Sequence, residues 1–106
     1  MLMPTKKPTK AHRQPTLAQM RPVILRIAER YGATNVRIFG SFARGEQRQR
    51  SDIDLLVTIP RKASLLDIVG IKVDLEEALC RKVDVVPDDS IKPLLRDHIL
   101  AEARAL

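Results

Sequence analysis

The chain has 106 residues, of which 44% are hydrophobic, 30% charged and 3% aromatic, and its formal net charge is +6. That length supports one domain with one core rather than two, and so few aromatics, with no Trp, exclude a base-stacking surface for single-stranded nucleic acid. Lys6, Lys7, Lys10 and Arg13 carry four of the positive charges within residues 1–15, so the remainder is not strongly basic.

Residues 1–15, MLMPTKKPTKAHRQP, also hold three prolines, no acid and almost no large apolar side chain. A disordered basic arm is expected there, able to make a weak contact with nucleic acid or an acidic partner. His12 lies in it and receives no role. No apolar block follows the lysines, so no signal peptide is expected.

The domain is expected over residues 16–106. Thr16-Leu17-Ala18-Gln19 matches a capping box, and Ile24, Ile27, Ala28 and Tyr31 then recur at helical spacing. Pro22 implies a kink or a restart of that helix, and Gly32 its stop. NVRIFG, 35–40, reads as a strand running into a tight turn. DIDLLVTIP, 52–60, is a second strand closed by Pro60. Ser64 is placed to cap a helix reaching Cys80, with Ile68, Ile71, Leu75, Ala78 and Leu79 on one face and Gly70 as a weak point. Cys80 is the only cysteine, so the fold does not depend on a disulfide, which suits the cytoplasm. KVDVV, 82–86, is a third strand. Ser90 is expected to cap a last helix with Ile91, Leu94, Leu95, His98 and Ile99 on its buried face, His98 being partly buried and hydrogen-bonded. No stretch approaches the roughly 18–20 apolar residues of a membrane span. The order helix, strand, strand, helix, strand, helix predicts a small α/β domain with three strands.

Residues 40–54, GSFARGEQRQRSDID, carry the chemistry. Alternation along the second strand turns Asp52 and Asp54 to one face and Ile53, Leu55 and Val57 to the core. Two carboxylates so close repel and resist desolvation unless a cation lies between them. Mg²⁺ takes one or two carboxylates together with substrate phosphates. Asp84, set among Val83, Val85 and Val86, joins the cluster if the third strand lies beside the second. Three carboxylates suffice for the two-metal arrangement of phosphoryl or nucleotidyl transfer, and Asp84 is also placed to accept the proton of the attacking hydroxyl. Asp88 and Asp89 are rivals for the third position, although PDDS reads as a turn. Gly40 and Ser41, following a strand, offer backbone N–H groups and a hydroxyl to a phosphate. Arg44, with Arg48 and Arg50 as alternatives, supplies a charge-assisted contact.

GSFARGEQRQRSDIDLLV resembles the signature of the nucleotidyltransferase superfamily related to DNA polymerase beta, and more narrowly its minimal nucleotidyltransferases. Their pattern of Gly-Ser, ten residues and Asp-x-Asp is matched by Gly40-Ser41, residues 42–51 and Asp52-Ile53-Asp54; the resemblance covers about 17–105. It implies an α/β (α+β) domain with a three-stranded mixed sheet flanked by helices. Asp52, Asp54 and Asp84 are implied as Mg²⁺ ligands and catalytic carboxylates, and Gly40, Ser41 and Arg44 as nucleotide contacts. It further implies ATP as substrate and a HEPN-type toxin as partner: the protein would be the antitoxin that transfers AMP to a tyrosine of the toxin. A non-catalytic antitoxin acting by binding is the alternative. Nucleotidylation of an aminoglycoside-type molecule is a third reading, for which no second domain or acidic cleft is evident.

Overall fold

The computed structural model describes residues 15–48 and 51–106. The expected arm, apart from Pro15, lies outside the described residues, as does Arg50. The capping box forms as the sequence requires: Thr16 Oγ1 accepts from the Gln19 amide and Gln19 Oε1 from the Thr16 amide. Helix α1 (Leu17–Arg30) follows and runs through Pro22 without a restart. Pro22 deprives only the Ala18 carbonyl of a donor, and both residues are exposed, so water replaces it. At the other end Gly32 adopts φ 75°, and the amides of Gly32 and Ala33 close back onto Glu29 and Ala28. That left-handed exit turns the chain directly into β1.

The remaining elements are β1 (Thr34–Phe39), a single helical turn α2 (Ser41–Arg44), β2 (Ile53–Thr58), α3 (Leu65–Leu79), β3 (Val83–Pro87), α4 (Pro93–Glu102) and β4 (Arg104–Ala105). The sheet is mixed, as expected, but has four strands in the order β3-β2-β1-β4, not three. β1 runs antiparallel to both β2 and β4, whereas β2 and β3 are parallel and joined through α3. The fourth strand escaped the sequence reading because two paired residues carry no periodicity. Its anchoring is continued by the Leu106 amide, which donates to the Val36 carbonyl at 3.1 Å.

The main core lies on one face of the sheet, although Leu56 on the other face is also fully buried. Val36, Ile38, Ile53, Leu55, Val57 and Val83 meet Met20, Ile24, Ile27 and Ala28 of α1 and Ile71 and Leu75 of α3. The core is almost wholly aliphatic, as the composition demands. Strand alternation sends Phe39, Asp54, Leu56 and Asp84 to the opposite face.

Gly70, expected only as a weak point in α3, has a packing role. A Cβ there would lie 2.6 Å from Tyr31 Cε1, and Tyr31 Oη donates to Asp74 Oδ2 one turn further along at 2.5 Å. The missing side chain makes room for the ring that joins α1 to α3. Gly70→Ala should therefore destabilise the fold by about 1–3 kcal/mol through overpacking, against the roughly 1 kcal/mol gain normal for mid-helix Gly→Ala. A urea denaturation series would check the sign.

Helix α4 departs from expectation in two ways. Its N-cap is Lys92, with Pro93 in the first turn, because proline fixes the entry; Ser90 instead bonds its neighbour Asp89. The helix also has no buried residue. Leu94 and Leu95 are exposed, and His98, expected to be partly buried, is 72% exposed. The face was read correctly as apolar, but the described chain covers it only in part: Ile91 and Ile99 are half-buried and Leu94 and Leu95 are not covered. No described helix is long and apolar enough to cross a membrane.

Candidate active site

The parallel register of β2 and β3 sets Asp54 level with Asp84, and the antiparallel register of β1 and β2 sets Phe39 opposite Asp54. A single cross-strand row therefore reads Asp84, Asp54, Phe39, and the chain leaves Phe39 directly into Gly40 and Ser41. Asp52 stands just before β2 and is exposed. The sheet thus brings Asp54, Asp84 and the glycine–serine turn to one end of one face, and Asp52, just outside it, acts on Asp54 by its charge.

Their mutual influence is electrostatic. Asp54 is pushed up to about 6, first by burial, then by the charge and hydrogen bonding of Asp84, with Asp52 and Glu102 adding like charge. Such a group is held in tension until positive charge arrives. Among the described residues no three His, Cys, Asp or Glu side chains stand close enough to enclose a metal ion. The donor set nevertheless suits a hard divalent cation: it is all carboxylate oxygen, and its repulsion is what a cation relieves.

Gly40 carries the closest approach in the site. Its backbone has φ 75° and ψ −152°, a region essentially reserved for glycine. A Cβ at that position would lie 2.2 Å from Asp54 Oδ2. The turn and the carboxylate therefore fit only because residue 40 lacks a side chain. Gly45 closes α2 in the left-handed conformation, with the Glu46 amide returning to the Ser41 carbonyl at 2.9 Å.

Arg44 and Gly40 are both engaged by one residue the sequence did not single out. Glu102, at the end of α4, accepts from the Gly40 amide through Oε1 at 2.8 Å and from Arg44 Nη1 through Oε2 at 2.7 Å. Arg44 Nε also donates to Glu46 Oε1 at 2.8 Å. These donors hold the Glu102 carboxyl below the usual carboxylate range, Arg44 first and the Gly40 amide second. Glu102 is 62 positions from Gly40 in an unremarkable terminal helix, and no motif marks it.

The rivals for the third carboxylate fall elsewhere. Asp88 accepts from Arg37 Nη2 at 3.0 Å and from Thr58 Oγ1 at 2.6 Å, beyond the far end of β2. Asp89 bonds Ser90. Arg48 is exposed. On the edge of the carboxylate row, Lys72 donates to Glu76 and to the Val83 carbonyl, each at 2.8 Å, fixing α3 to the start of β3.

A strand, a glycine–serine turn, and carboxylates level on two parallel strands define the class: an α/β enzyme that transfers nucleotidyl groups. The model of the Nucleotidyltransferase domain family matches residues 20–106, and the chain belongs to that family. A Methanocaldococcus jannaschii relative, named "Putative protein adenylyltransferase MJ0435", is 50% identical over 80 residues, spanning 76% of this chain and 86% of its own. A solved structure described as "Structure of putative minimal nucleotidyltransferase" superposes with a TM-score of 0.76 at 44% identity, covering 86% of this chain and 93% of its own. "Crystal structure of the toxin-antitoxin with AMP-PNP" shares the fold, with a TM-score of 0.69 at 23% identity, covering 77% of this chain and 68% of that one.

Proposed function

We propose that the chain is a Mg²⁺-dependent protein adenylyltransferase. It acts as the antitoxin of a toxin–antitoxin pair in the cytoplasm, transferring AMP from ATP to a tyrosine of a HEPN-type toxin. The observation that carries this reading is the level placement of Asp54 and Asp84 beside the Gly40–Ser41 turn. The adenylyltransferase name of the half-identical relative supports the choice of nucleotidyl group and of a protein acceptor. The shared fold of a toxin–antitoxin complex holding AMP-PNP supports the kind of partner.

In this scheme Asp52, Asp54 and Asp84 hold divalent cations, which supply neutralisation of the triphosphate and of the charge that develops during transfer. Gly40, Ser41 and Arg44 position the phosphates. The tyrosine oxygen attacks the α-phosphorus, the bond from that phosphorus to the bridging oxygen breaks, and pyrophosphate leaves. Asp84 receives the phenolic proton and passes it to solvent.

The test is intact-mass spectrometry of the chain with its co-expressed partner, Mg²⁺ and each nucleoside triphosphate in turn. A mass gain of one AMP on the partner is expected with ATP, absent from the Asp52→Ala/Asp54→Ala variant. A complex that forms and is silenced with no gain on either chain would instead favour neutralisation by binding.

A further inference from the structure

The carboxylate of Glu102 occupies the two groups that a triphosphate must reach. Its oxygens lie 2.8 Å from the Gly40 amide nitrogen and 2.7 Å from Arg44 Nη1, and Glu102 adds like charge beside Asp54. Two oxygens on a backbone N–H and a guanidinium are the contacts of a bound phosphate. The side chain that makes them is only 13% exposed, although the helix that bears it has no fully buried residue. Beyond Glu102, the tether is β4: two residues paired with Arg37 and Ile38, and Leu106, whose amide bonds Val36 and whose carbonyl accepts from Arg21.

We propose that Glu102 is a built-in phosphate surrogate, and that α4 with β4 forms a strap holding the nucleotide loop closed until a triphosphate displaces it. The inference rests on the nucleotidyltransferase reading and adds regulation of that same site. Its physical basis is competition. Gly40 and Arg44 cannot give the same hydrogen bonds to Glu102 and to a phosphate, so the apparent affinity for nucleotide is reduced by the fraction of molecules with the strap closed. The strap is suited to release because α4 has no fully buried residue and its attachments gather at its C-terminal end: Glu102 at the site, and the two-residue strand with Leu106 at the sheet edge. Weakly buried segments open first. Closed, it also gives Arg44 and the Gly40 amide partners that keep the loop in shape without ligand.

The experiment is calorimetric titration of the full chain with a non-hydrolysable ATP analogue and Mg²⁺, comparing wild type with Glu102→Gln and Glu102→Ala. Both variants should bind more tightly, Glu102→Ala the more so; a gain of roughly tenfold would correspond to a strap closed about nine-tenths of the time. Glu102→Gln should lie between, because its amide oxygen still accepts from Gly40 but no longer carries charge. Equal or weaker binding by the variants, with wild type binding normally, would overturn the strap. Binding by no chain at millimolar analogue would overturn the nucleotide reading, and the strap with it. Hydrogen exchange on wild type alone gives an independent measure: nucleotide should accelerate exchange in residues 93–105. Protection of that segment on binding would count against displacement.

Discussion

Asp54→Asn should stabilise the metal-free chain while abolishing its activity. Asp54 is raised from 3.8 to about 6, chiefly by burial and by Asp84. The folded state therefore binds a proton more tightly than the unfolded state, and ionising Asp54 costs stability. The cost is absent below about pH 3.8, grows as the pH rises toward 6, and is complete above that. A shift of this size would correspond to several kcal/mol for a fully buried group. Asp54 is only partly buried, so screening reduces the gain from removing its charge to about 1 kcal/mol. For a chain of this length that is roughly 4–8 °C in Tm at pH 7–8, falling to nothing near pH 4. Added Mg²⁺ should raise the wild-type Tm and leave the variant unmoved. AMP transfer should fall at least about 100-fold, as when a charge-stabilising group is removed from a transition state. Thermal melts across pH, with and without Mg²⁺, paired with the mass assay, check both directions. A variant no more stable than wild type at pH 8 would show that Asp54 is not under electrostatic strain.

The second large effect is at Gly40. Replacing it with Ala places a Cβ 2.2 Å from Asp54 Oδ2 and forces φ 75°, ψ −152° on a residue with a side chain. Either the turn or the carboxylate must move. The backbone strain alone is worth about 1–3 kcal/mol, so Tm should fall by roughly 5–20 °C. Nucleotide affinity should fall with it, because the same movement spoils the phosphate turn. Gly45→Ala is the control. Gly45 also has a positive φ, of 72°, but a Cβ there meets nothing within 4 Å. That substitution should cost only about 1–2 kcal/mol and leave the affinity near wild type. Denaturation and analogue titration of the two variants separate strain in general from strain against the Asp54 carboxylate.

The parts of the candidate site that come from one stretch of chain can be named without coordinates. Gly40, Ser41, Asp52 and Asp54 lie within fifteen residues, and strand alternation alone assigns Ile53, Leu55 and Val57 to the core, where they are buried. Placing Asp84 required a guess about strand adjacency, and the parallel pairing of β2 with β3 supplies it. What the sequence withheld depends on contacts between distant segments. Glu102 reaches Gly40 only because α4 returns to the sheet, and β4 is too short to show a pattern. The apolar face of α4 was mistaken for a core face because periodicity reports a stripe without saying what covers it. His98 followed that error to the wrong environment. Gly70 looked like a defect because its reason, the Tyr31 ring, lies on another helix.

The pairing of β3 with β2 also bears on what selection can act upon. Val83 is fully buried and Asp84 beside it is exposed. Because side chains alternate, sliding β3 by one residue would bring a valine to the carboxylate row and drive Asp84 into the aliphatic interior. The hydrophobic fit of Val83 thus proofreads the position of Asp84. Misalignment of β3 is therefore penalised as a folding fault, whatever it does to the carboxylate row. Core packing and the carboxylate row are set together through a single pair of adjacent residues.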